Sequence, residues 1–289
     1  MTRFVTLLAA GITYAAVLSL VALGFLVLYK ATAVLNFAHG ALVTFGGYVA
    51  LWAIVTLGLP IVAGYVLAIV LLFLIGVAVE RVAYAPLRAR PPLVVVIATL
   101  AAAIMLQGIA AVWQGAYPKS LPTPVTGTVT IAGAAIPKQD ILVVAVSAVV
   151  VTGVLLLFQK TSFGRQVRAV AADPDTALLC GVRTRMLSMV AFGMSAALAC
   201  LAGVLVVPLT ALNLTFGFTL MIDAFAAAVL GGFGSLGGVV LGAIIVALVQ
   251  QLLGGYVLTG YADSLPFVVM VVALAIRPQG LIVFRTSRL

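Results

Sequence analysis

Long apolar runs, interrupted at wide intervals by one or two charges, set the pattern of this chain. No Asp, Glu, Lys or Arg occurs in 4–29, 31–79, 91–118, 141–159, 186–222, 224–262 or 264–276. A helix rising 1.5 Å per residue needs about 20 apolar residues to cross the hydrocarbon core of a bilayer, and two of these runs are long enough for two crossings. Leu57-Gly58-Leu59-Pro60, a Gly and Pro turn signal, divides 31–79, and Leu252-Leu253-Gly254-Gly255 divides 224–262. The pattern therefore predicts spans at about 4–29, 41–57, 61–79, 93–112, 141–158, 186–208, 215–233, 237–255 and 264–283. The expected fold class is all-α integral membrane, a polytopic bundle of about 8–9 transmembrane helices that leaves room for broken or re-entrant segments. A single transmembrane domain over 1–289 is expected, with one polar loop, 159–185, inside it.

Composition sharpens this. Of 289 residues 65% are hydrophobic and 7% charged, against roughly 25% charged in an ordinary soluble domain, which excludes a water-soluble globule. The net charge of +9 does not mean nucleic-acid binding, because a phosphate-reading surface needs clustered basic residues on an exposed domain. Its meaning is positional. With nine crossings and the N-terminus outside, twelve of the fifteen basic residues fall on the cytoplasmic side: Lys30, Arg81, Arg88, Arg90, Lys160, Arg165, Arg168, Arg183, Arg185, Arg277, Arg285 and Arg288. That is the bias of short cytoplasmic loops. The run 4–29 is longer than a signal-peptide core and has one flanking arginine, so an uncleaved first span is expected.

The chemistry available is sparse. There is one histidine, His39, and the six carboxylates are scattered. A zinc site needs three or four ligands, and no H-E-x-x-H occurs. Asp223 and Asp263 carry no aspartyl-protease motif. Gly232, Gly234 and Gly237 spell a literal G-x-G-x-x-G, but no strand precedes them, no acidic residue follows at the required distance, and the Lys-Ser/Thr ending of a phosphate loop is missing. Neither an enzyme nor a bound cofactor or metal is expected. Cys180 and Cys200 propose no disulfide framework and read as packing residues.

Two segments share a pattern. Asn36 opens Asn36-Phe37-Ala38-His39-Gly40, followed by Gly46-Gly47; Asp223 opens a run ending in Gly231-Gly232. Each has a polar residue, an aromatic within two positions and a glycine pair eight or ten residues on. The glycines either allow close helix approach, as in the G-x-x-x-G of Gly238 and Gly242, or mark interrupted helices along a midplane translocation path. Candidate path or helix-break residues are Asn36, Phe37, His39, Gly40, Asp223, Gly231, Gly232, Gly234 and Gly237. His39 reads either as a helix-start residue bonded to backbone or as a residue lining the path, and an ionisable Asp223 must face a bundle interior, a cavity or the interface.

The most informative polar stretch is 159–185. Asp173 is a natural N-cap, Pro174 suits the first helical position, and Gly181 suits the left-handed residue beyond the end. These predict a two-turn helix over 174–180, preceded by a turn over 163–171 with Arg165 and Arg168 on one face. Such an element is either a solvated loop or a docking helix for a cytoplasmic partner.

Five segments in order carry a resemblance: Asn36–Gly40, the Glu80, Arg81, Pro86, Leu87, Arg88 pattern, Gly164–Val182, Ala224–Gly238 and Arg277–Leu281. Together they resemble the smaller of the two paired permeases of branched-chain amino acid ABC importers, over nearly the whole chain. The resemblance implies a permease domain in the inner (cytoplasmic) cell membrane that moves branched-chain or related small amino acids inward. It implies as partners a second permease subunit (heterodimer or homodimer), two cytoplasmic ATPase subunits that bind ATP and Mg, and an external solute-binding protein, with membrane lipid around it and no nucleic acid. It further implies that 159–185 is the ATPase-coupling loop, with Gly164, Arg165, Arg168, Ala169, Asp173, Pro174 and Gly181 as matched positions. One departure stands out: members of the family commonly have a basic residue where this chain has Asp223. That leaves urea, short amides or another small polar solute as alternative substrates, and a standalone channel or secondary transporter as the alternative class.

Overall fold

The computed structural model describes residues 2–131, 133–256, 260–277 and 280–281. Eleven α-helices occur among them: α1 (Thr2–Thr32), α2 (Ala38–Leu51), α3 (Ile61–Val79), α4 (Pro92–Gln114), α5 (Lys138–Lys160), α6 (Ser162–Ala172), α7 (Pro174–Leu179), α8 (Thr184–Val206), α9 (Phe216–Gly231), α10 (Leu236–Tyr256) and α11 (Leu265–Ile276). α2 and α3 each continue into a five-residue π-helical turn, Trp52–Thr56 and Glu80–Tyr84. The chain is an all-α polytopic membrane protein, as its apolar runs predict.

Each expected span contains a helix, but not every one is long enough to cross, and 278–279 and 282–283 of the last span lie outside the described residues. Seven helices among the described residues have the length and hydropathy of a span, whereas α9 has 16 residues and α11 has 12. At 1.5 Å per residue these two reach about 24 and 18 Å, short of a hydrocarbon core of about 30 Å. The reading of nine full crossings is thus reduced to seven plus two shorter apolar helices. Arg285 and Arg288 of the charge count, and Pro278 and Gln279 of the last matched segment, lie outside the described residues.

Local chemistry explains where the elements differ from expectation. α2 begins at Ala38 rather than 41 because Asn36 Oδ1 accepts from the Ala38 N–H at 3.0 Å, an Asx turn that starts the helix early. The turn at 57–60 forms as predicted, with Gly58 at φ +67°. At Leu252–Gly255 the chain stays helical, and α10 ends at Tyr256, one residue beyond the expected end of that span. There the glycines serve packing, since a Cβ on Gly254 would lie 2.8 Å from the Ala262 Cβ. A two-stranded antiparallel hairpin, β1 (Thr128–Ile131) and β2 (Ala134–Pro137), occupies a stretch for which no element was predicted.

The chain divides into two compact units. In the unit formed by Val27–Pro124 and Thr152–Leu220, every residue of α2 is buried, and α3, α4 and α8 surround it. α2 and α8 approach closely: a Cβ on Gly46 would fall 2.8 Å from the Cys200 Cα, the small-residue packing that membrane helices use in place of a hydrophobic driving force. α3 and α4 leave much of their apolar surface exposed, as helices in lipid do. In the unit formed by Met1–Leu26, Val125–Val151 and Met221–Leu289, α10 packs on α11, Gly242 brings α10 against the Ala227 carbonyl of α9, and Phe25, Phe225 and Phe233 form an aromatic cluster with centroids 5.9–6.4 Å apart.

Candidate translocation and coupling sites

Helix starts converge around Asn36–Gly40. The Phe37 N–H donates to Thr99 Oγ1 of α4 at 3.2 Å, and the His39 N–H donates to the Asn36 carbonyl at 3.3 Å. The imidazole is fully buried, with Nδ1 3.0 Å from Ser195 Oγ of α8. His39 is therefore a helix-start residue, and its side chain contacts another helix. Gly40 is also buried, and its carbonyl lies where a Cβ on Gly217 would meet it at 2.1 Å. The Gly217 N–H in turn donates to Thr44 Oγ1 at 2.9 Å. The first turn of α9 is thus seated on the first turn of α2, a contact that sequence spacing could not reveal. Asn36 is 3% exposed, and its Nδ2 has no hydrogen-bond partner among the described residues. An orphaned buried donor of this kind is rare.

The second segment is built differently. Gly46-Gly47 leaves α2 unbroken, but α9 ends at Gly231, and Gly232 takes φ +87°. A Cβ on Gly231 would come 2.2 Å from the Gly238 carbonyl. Gly234 lies in the exposed turn, and Gly237 in the first turn of α10. Ser235 caps that helix, its Oγ accepting from the Gly238 N–H at 3.1 Å, a cap that the neighbouring glycines obscure in the sequence. Asp223 sits inside α9, 1% exposed, and its Oδ2 accepts from the Tyr14 hydroxyl of α1 at 2.5 Å. The two segments belong to different units, Asn36–Gly47 to one and Asp223–Gly232 to the other.

The polar loop forms α6 and α7. Thr161 caps α6, its Oγ1 accepting from the Gly164 N–H at 3.4 Å. Gly164 must be glycine, because a Cβ there would lie 2.0 Å from the Phe158 carbonyl. The same carbonyl accepts from the Arg168 guanidinium, which ties Arg168 to the end of α5; both Arg165 and Arg168 are exposed. The Ala169 carbonyl accepts from the Asp173 N–H at 3.1 Å. Asp173 Oδ1 accepts from the Asp175 and Thr176 N–H groups at 3.0 and 3.2 Å, and Oδ2 from the Thr176 hydroxyl at 2.5 Å. These hydrogen bonds, the Thr176 hydroxyl foremost, hold the Asp173 carboxyl below the usual aspartate value. Pro174 takes the first helical position, and Gly181 at φ +83° ends the helix.

α7 turns apolar side chains outward. Leu178 and Leu179 are 59% and 88% exposed, although Ala177 beside them is buried. Cys180 is exposed and Cys200 buried, so only Cys200 is a packing residue. At the start of α8, Ser188 Oγ donates to Glu80 Oε1 at 2.7 Å, both residues being buried, which ties the helix leaving the loop to the end of α3.

Residues 7–274 match the model of the branched-chain amino acid transport system permease component. The chain belongs to that permease family. It is 30% identical to the high-affinity branched-chain amino acid transport system permease protein LivH of Escherichia coli strain K12, over 94% of this chain and 93% of that one. It is likewise 30% identical to BraD, the permease of the same description from Pseudomonas aeruginosa, over 95% and 94%, and 28% identical to a probable LivH of Methanocaldococcus jannaschii over 95% and 91%. This permease is a multi-pass membrane protein.

Proposed function

We propose that this permease is the membrane-spanning subunit of an ATP-driven importer for branched-chain or related small amino acids. It works with a second permease subunit, two ATPase subunits that hold ATP and Mg, and an external binding protein. The observation that carries this reading is α7: a capped two-turn helix that exposes Leu178 and Leu179 has apolar side chains for a partner to cover. ATPase movement enters there, passes to α8 three residues beyond Gly181, and reaches α2 through Ser195 on His39 and Cys200 on Gly46. The loop residues Gly164, Arg165, Arg168, Ala169, Asp173, Pro174 and Gly181 shape that coupling surface.

The substrate carboxylate is met at the start of α2. Asn36 Nδ2 supplies an unused buried donor, and the positive end of the helix dipole favours an anion beside it. Phe37, His39 and Gly40 form the wall behind it. Asp223 is read as a tie between α1 and α9 through Tyr14, with Gly231, Gly232, Gly234 and Gly237 as the helix break, so the departure at this position does not change the substrate class.

The test uses the assembled transporter. The pair Leu178→Asp and Leu179→Asp leaves the permease in the membrane but abolishes ATPase co-purification and leucine uptake; undiminished co-purification would refute the coupling role. Uptake of leucine resisting excess urea, acetamide and lysine supports the substrate class, and displacement by any of the three overturns it.

A further inference from the structure

A basic pocket beside α7 shares Leu178 with the coupling surface, but its four arginines have no individual role in that reading. α3 exposes Val62, Val66, Val70 and Leu74, a four-residue spacing that puts them along one side of the helix. Arg81 is twenty residues beyond Ile61, and at 1.5 Å per residue that is about 30 Å, one hydrocarbon thickness. The apolar stripe therefore ends at a guanidinium at the depth of lipid headgroups. Arg81 and Arg88, from the end of α3 and the segment after it, and Arg183 and Arg185, from the start of α8, line one open pocket of about 650 Å³ with Leu178 and Met186 at its edge.

The chemistry of the pocket is one-sided. Among the described residues none of the four guanidiniums is ion-paired with a carboxylate, and nearby Glu80 is buried with Oε1 occupied by Ser188. Four like charges around one hollow repel unless an anion lies among them. Guanidinium forks match phosphate oxygens in pairs, and the pocket includes Thr184, the first residue of α8, whose positive dipole end also favours an anion. An acidic protein surface would satisfy the charge but would have to reach Arg81 at headgroup depth, at the end of a stripe that acyl chains already cover. A phospholipid satisfies both.

We infer that this pocket binds the phosphodiester headgroup of an anionic phospholipid, whose acyl chains lie along the exposed stripe of α3. The inference depends on the chain spanning a membrane and not on the coupling role proposed for α7. A basic residue near an anionic membrane surface contributes enough for about a fivefold change in affinity, so four of them give a large and readable effect.

Native mass spectrometry of the delipidated full-length permease, titrated with dioleoylphosphatidylglycerol or dioleoylphosphatidylcholine, tests this. The wild type retains phosphatidylglycerol at least about tenfold better than phosphatidylcholine. The quadruple variant Arg81→Gln, Arg88→Gln, Arg183→Gln, Arg185→Gln loses that preference, and the matching Arg→Lys variant, which keeps the charge, retains most of it. Equal retention of the two lipids by the wild type, or an unchanged preference in the Gln variant, overturns the inference. Displacement of phosphatidylglycerol by millimolar inorganic phosphate reassigns the pocket to a free anion and also overturns it. A Gln variant that keeps phosphatidylglycerol but loses the ATPase subunits gives the arginines to the partner protein instead.

Discussion

The start of α2 and the α6–α7 loop are both short polar, glycine-bearing interruptions of an apolar chain, yet they are held in opposite ways. Around α2 the contacts come from far along the sequence: Thr99 on Phe37, Ser195 on His39, Gly217 on Gly40. In the loop nearly every stabilising contact is within ten residues, from Thr161 on Gly164 to Asp173 on Thr176. Long-range contacts stand or fall with the packing of the whole bundle, whereas local caps can be removed without disturbing it. The first region is suited to a fixed wall, the second to a surface remade against a partner.

The sharpest way to break this contrast is steric. Gly46→Leu forces a side chain into the Cys200 backbone and should cost about 3 kcal/mol, read as a large drop in thermal stability in detergent and in folded yield. Smaller, and still global, is Ser195→Ala. It removes a buried partner from His39 and should cost roughly 2 kcal/mol, with Ser195→Thr restoring part of it. If either variant melted like the wild type, the α2 region would not depend on its distant contacts.

The loop should respond locally. Asp173→Ala removes the cap of α7 and should raise amide exchange in 174–180 several-fold while leaving the melting temperature nearly unchanged; a large fall in that temperature would erase the distinction. The smallest effect is that of pH. Because the folded Asp173 carboxyl lies below its ordinary value of 3.8, its contribution is complete above that value and is lost as the pH falls through the lowered one. Protection of α7 should therefore be flat from about pH 5 to 8 and decline only in acid; a change within that range would refute the assignment to Asp173.

The same contrast decides what could be read from the residues alone. Asp173, Pro174 and Gly181 are correctly placed as cap, first position and terminator because each acts on backbone within a few residues of itself. The spans are legible because apolar length is a local property. The seat of Gly217 on Gly40 and the pairing of His39 with Ser195 are not, since residues 156 or more apart in sequence leave no periodic trace. Glycine misleads for the same reason: Gly254 looks like a break, yet it is a place where α10 is approached closely by Ala262. The hairpin at 128–137 is not legible because four-residue strands carry too little alternation to register beside helices of twenty.

The two thiols have a practical consequence. Cys180 is exposed at the end of α7, and Cys200 is sealed against Gly46, so the unmodified chain holds one maleimide-reactive position, placed on the loop itself. A reporter attached there would sense shielding of α7 directly, turning the natural sequence into its own footprinting reagent.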